Sequence, residues 1–131
     1  MTKRKLASIR LVNEITPIKG ADMIEVARVD GWRTVVRKGE FQVGQPVVFC
    51  EVDSFLPVPN PAWDYLLKGA EPQVSEGISG IRLRSIKLRG VRSQGLAVPF
   101  NKLACAKQLE ALEVGTEVTK LLGIIKYEPE I

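Results

Sequence analysis

Five cations fall between Ile81 and Arg92 (IRLRSIKLRGVR): Arg82, Arg84, Lys87, Arg89 and Arg92. Cations at this density suit a polyanion, because each can neutralise one backbone phosphate of a nucleic acid. A solvent-facing strand also needs polar residues, and that plainer need explains some of the pattern. It does not explain the missing acids. From Gly77 to Leu109 there are seven cations and no Asp or Glu, against twelve cations and fifteen acids in the rest of the chain. Arginine also outnumbers lysine here, and its planar fork suits phosphate better than an ammonium does.

Other residues carry weaker chemistry. Arg28-Val29-Asp30-Gly31 has the outline of a Lys-x-Asp-Gly nucleotidyl transferase motif, with arginine in the nucleophile's place. A guanidinium stays protonated and cannot form a lysyl-type phosphoramidate; a strand ending in an Asp-Gly turn accounts for the four residues. Glu51 and Asp53 share one face of a strand, but a lone carboxylate pair is thin support for metal or acid–base work. Gly77-Ile78-Ser79-Gly80 is not followed by the Gly-Lys-Ser/Thr of a phosphate loop. Trp32, Phe55, Trp63, Tyr65 and Tyr127 could stack on bases. Of these, Trp63 and Tyr65, in a proline-rich stretch, are the two expected to reach solvent.

Histidine is absent, which removes His-based acid–base catalysis, Ser-His-Asp triads and most zinc patterns. No catalytic or metal-ligating residue is therefore assigned. Cys50 and Cys105 lie far apart in apolar stretches and read as reduced core residues of an intracellular, cytoplasmic protein. No run of eighteen apolar residues and no secretory segment occurs, so no membrane partner is expected.

The elements that must position these residues are mostly short strands. At 131 residues, 45% hydrophobic and 26% charged, the chain is sized for one domain, residues 1–131. Ala7–Ile15, Met23–Val29, Trp32–Val36 and Pro46–Val52 read as strands, with a break at Pro17/Gly20 and a hairpin at Asp30-Gly31. Ser54–Gly80, interrupted by Pro57, Pro59, Pro61 and Pro72, reads as a long excursion with a helical turn at Ala62–Lys68. In Ile81–Leu88 the apolar residues change parity, which predicts a β-bulge near Ser85. That bulge would put Arg82, Arg84, Lys87 and Arg89 on one outward face. Arg89-Gly90 then turns into Gln94–Val98. Asn101 is placed to cap a helix running to Leu112, with Leu103, Leu109 and Leu112 inward. A further short turn spans Glu117–Leu122. The expected fold is all-β with a minor helix: a small OB-fold-like barrel with a capping helix and one long inter-strand insertion. A small SH3-like barrel is the alternative.

Two families share stretches of this sequence. Gly20–Asp30 (GADMIEVARVD), Val43-Gly44 and Lys87–Leu96 (KLRGVRSQGL) resemble the tRNA-binding OB domain of phenylalanyl- and methionyl-tRNA synthetases. The whole chain resembles the N-terminal OB-fold-like module of the ATP-dependent, nick-sealing RNA ligases. Val29–Trp32 (VDGW), Lys38–Phe41 (KGEF), Glu51–Pro57 (EVDSFLP), Ile86–Gly90 (IKLRG) and Leu122–Pro129 (LGIIKYEP) carry that second likeness. It implies a module that grips a nicked RNA duplex beside a C-terminal nucleotidyl transferase domain. ATP and a divalent metal belong to that missing domain, and no catalytic residue transfers to this chain. The apolar ending at Ile131 resembles a severed linker, so the native frame is expected to continue into a Lys-x-(Asp/Glu/Asn)-Gly strand. The readings left open are a stand-alone or synthetase-associated tRNA-binding domain, a free-standing enzyme using Glu51 and Asp53, and a protein-interaction module.

Overall fold

The computed structural model describes residues 6–67, 72–75, 77–88 and 90–127. Strand β5 (Pro46–Cys50) organises the rest, pairing antiparallel with β1 (Ala7–Leu11) on one side and β11 (Leu96–Pro99) on the other. Its sequence, PVVFC, is apolar throughout because both of its faces are covered. Val48 and Cys50 pack into one buried cluster, Val47 and Phe49 into another. A strand buried on both sides loses the usual polar alternation.

The cluster around Phe49 is the barrel interior. β2 (Glu14–Pro17), β3 (Ile24–Val29) and β4 (Trp32–Arg37) form a three-stranded meander that curls over it, sending Ala27, Val29 and Val36 inward. Trp32 stacks on Phe49 with ring centroids 6.0 Å apart. The β3–β4 connection is the expected two-residue hairpin, with Asp30 at φ 54°. The first predicted strand is split into β1 and β2 around Val12, whose N–H donates to the Gln45 carbonyl at 3.0 Å. Beyond β4 the wall continues through Gln94, which donates its N–H to Arg33 C=O at 2.7 Å, and then into β11.

The other cluster lies on the far side of β5, and the excursion after residue 53 builds much of it. β6 (Ser54–Pro57), β7 (Gln73–Ser75), β8 (Ile78–Arg82) and β12 (Ile125–Lys126) make a sheet in the order β12-β6-β8-β7. Trp63 is wholly buried, and its indole N–H donates to Pro57 C=O at 2.8 Å. This corrects the expectation that Trp63 reaches solvent: the indole is the excursion's anchor. The expected helical turn is a 3-10 turn over Asp64–Leu67; Lys68 lies outside the described residues.

The capping helix is shorter and later than its pattern suggested. A 3-10 turn over Phe100–Lys102 precedes α1 (Ala106–Glu110), whose N-cap is Cys105, not Asn101. Leu103 and Leu109 are buried as expected, whereas Leu112, beyond the helix end, is exposed. No helix among the described residues is long and apolar enough to cross a membrane.

Candidate nucleic-acid interface

The cation-rich stretch does not form one bulged strand. β8 ends at Arg82, and β9 (Ile86–Leu88) begins after three intervening residues in a separate two-stranded hairpin with β10 (Val91–Ser93). The parity change near Ser85 marks a passage between two sheets, because Leu83 turns into the core and the chain then leaves it. Ile86, expected inward, is 52% exposed. The five cations therefore divide.

Arg82 is engaged by the protein itself. Its guanidinium donates to Asp53 Oδ1 from Nη2 at 3.0 Å and from Nε at 3.4 Å, and it lies 4.6 Å from the centroid of the Tyr127 ring. Tyr127 in turn tilts against Phe55 at 5.7 Å. The Asp53 backbone, at φ 77°, accepts from Tyr127 N–H and donates to Leu83 C=O, both at 2.9 Å. A carboxylate weighed as half of a catalytic pair thus ties together β8 and the segment ending in Tyr127. No group of three or more Cys, Asp or Glu converges among the described residues.

Lys87 and Arg92 lie directly opposite each other across the β9–β10 hairpin, and both are exposed. Like charges in facing positions are destabilising, and among the described residues no ion pair relieves them. Arg84 is likewise exposed, and Arg89 lies outside the described residues. The hairpin turns at Gly90, whose φ of +79° suits glycine. It is rooted on β4, where buried Ser93 Oγ accepts from Val35 N–H at 2.9 Å.

That root brings the hairpin beside cations the sequence reading did not assign to phosphate. On the outward side of the meander, Arg28 of β3 faces Arg33 of β4. Arg28 is paired with Glu14 at 3.4 Å; Arg33 has no ion pair among the described residues. A cleft of about 540 Å³ runs between this sheet face and the hairpin, with Glu14, Lys19, Val26, Arg28, Arg33 and Val91 among its lining residues. A second hollow of about 510 Å³ continues past Arg33 to Arg92 and Gln94. The signal for Arg33 was present: the two-residue Asp30-Gly31 turn fixes the register, and WRTVVR places Arg33 and Arg37 on the side away from the core. The Arg28–Gly31 motif is explained by this hairpin, with Asp30 held by Arg10 at 3.4 Å and by the Asn13 side chain.

A meander β2-β3-β4 that continues through β11 and β5 back to β1 defines a curled half-barrel of the OB class. A family model described as an OB-fold domain matches residues 6–100, and the chain belongs to that family. The chain is also similar in structure to an RNA ligase from Naegleria gruberi. Against an apo form of a variant of that ligase the TM-score is 0.88 at 46% identity, covering 100% of this chain and 37% of that chain. A variant with ATP and Mn gives 0.86 at 46% identity, with 98% and 37% covered. The ligase with PPi gives 0.87 at 46% identity over the same shares, 98% and 37%. This chain therefore spans little more than a third of the ligase's length. Comparison with curated protein sequences gave no match.

Proposed function

We propose that this chain is the nucleic-acid-binding module of an ATP-dependent RNA ligase. In this reading it grips a nicked duplex while a separate nucleotidyl transferase domain joins the 3′-hydroxyl to the 5′-phosphate. The observation that carries the reading is the pair of facing cations, Lys87 with Arg92, standing beside a cleft bordered by Arg33. Two like charges held on a two-stranded ribbon have a reason to be there if a polyanion lies across them.

Arg33, Arg84, Lys87 and Arg92 are the proposed phosphate contacts, together with Arg89. Arg82 is assigned a positioning role instead. Contacts of this kind read backbone and helix shape, so binding should be largely independent of sequence. Similarity to a ligase whose structures hold ATP, Mn or PPi supports ATP dependence. Those groups are assigned to the transferase domain. Free Cys50 and Cys105 fit a cytoplasmic protein.

Fluorescence anisotropy with a nicked RNA duplex, an intact duplex of the same sequence and a folded tRNA tests the reading. The duplexes should bind at least as tightly as the tRNA. Clear preference for the tRNA would favour the synthetase-type alternative, and binding to none would remove the function.

A further inference from the structure

A separate hollow of about 310 Å³ lies farther along the meander, bordered by the excursion. Ile24, Val35 and Leu96 give it apolar walls, and Arg37 and Tyr65 stand at its border. Tyr65 is 47% exposed and Met23 is 73% exposed. Exposing both is not required by packing, because Trp63, two residues before Tyr65, already anchors the excursion.

The charges around Tyr65 are unequal. Lys102 Nζ lies 5.5 Å from the ring centroid, but it is held by Glu40 at 3.1 Å. Arg37 is exposed and has no ion pair among the described residues. It follows Arg33 by four positions on the same side of β4, roughly 13 Å along the strand. A polyanion lying on Arg33 can therefore extend to Arg37.

We propose that this hollow takes one unpaired nucleotide, with its base against Tyr65 and Met23 and its phosphate on Arg37. An inorganic anion would leave the apolar walls unused, and an apolar peptide would leave Arg37 unanswered. A nucleotide has both a flat, weakly polar body and an anion at one end. The inference rests on the nucleic-acid-binding reading and adds that the module holds a frayed or single-stranded end as well as a continuous duplex.

The test compares a blunt RNA duplex with the same duplex carrying a short single-stranded overhang, by anisotropy at one salt concentration. The wild type should bind the overhang form about tenfold more tightly, the scale of one base–aromatic stack. Tyr65→Ala should abolish that preference and leave blunt-duplex affinity unchanged. Tyr65→Phe should keep it, because stacking needs no hydroxyl. If Tyr65→Ala lowers the melting temperature, Arg37→Glu, at an exposed position, should also remove the preference, read as the ratio of the two affinities because this charge reversal weakens the blunt duplex as well. Equal affinity for the two duplexes, or a preference that survives both substitutions, overturns the proposal and leaves duplex binding intact. Failure of the wild type to bind either duplex overturns both.

Discussion

Arg82 and Arg92 belong to one acid-free stretch, yet the fold gives them opposite surroundings. Arg82 ends a strand that pairs with β6, beside an Asp and a Tyr that fix it. Arg92 stands on a two-stranded ribbon facing Lys87, with no carboxylate paired to either among the described residues. A cluster of cations in sequence is thus not a cluster with one surrounding in the fold. What separates them is whether the fold supplies a counter-charge, and the passage through Leu83 moves the chain from one surrounding to the other.

The largest effects should come from the ground the two regions share. Cys50 is the last residue of β5, and full burial pushes its thiol up to about 12. A raised native pKa favours the protonated form, so this stabilisation is complete below the thiol's ordinary value and is lost as pH rises towards 12. On the order of 4 kcal/mol should disappear across that window, measured by urea unfolding at stepped pH. Cys50→Ala should lose much less over the same range. A flat profile for the wild type would contradict the burial.

Gly95, at the root of the hairpin, has φ +75°, and a Cβ there would sit 2.5 Å from the Cys50 carbonyl oxygen. Gly95→Ala should therefore cost about 3 kcal/mol through strain and overpacking, and it should weaken nucleic-acid binding by displacing the hairpin. Unchanged stability would show that the root is looser than described.

Substitutions on either side of Leu83 break the comparison directly. Lys87→Glu with Arg92→Glu should weaken duplex binding by about a hundredfold at low salt and leave the melting temperature unchanged, because the facing charges stay alike. Arg82→Ala should do the reverse. It should lower stability by about 1 kcal/mol, since the pair is a third exposed, and change affinity less than twofold. An Arg82→Ala variant that stays as stable as wild type but stops binding would return Arg82 to the contact surface.

Much of this was legible in the residues. The PVVFC strand, the Asp30-Gly31 hairpin and the OB-type barrel all follow from local patterns. Three features did not, because each is decided by how the chain packs beyond its local pattern. Trp63 is buried because the excursion folds back onto β5, which no spacing within the proline-rich stretch reveals. Arg82 is neutralised by Asp53, 29 residues earlier in the chain. Ile86 is exposed because β9 leaves the main sheets after Leu83, so a parity rule that assumes one continuous strand assigned it inward. The likeness to RNA ligases was carried by stretches spread along the chain and did not depend on these details.

The central claim, that the hairpin and the β4 face neutralise phosphates, is tested most directly by salt. Duplex affinity measured between 50 and 200 mM salt should fall with a log–log slope of roughly −4 to −5, for about five neutralised phosphates. The Lys87→Glu/Arg92→Glu variant should flatten that slope by about 2, and Arg82→Ala should leave it where it was. A wild-type slope near zero, or one that the hairpin variant does not change, would contradict the claim.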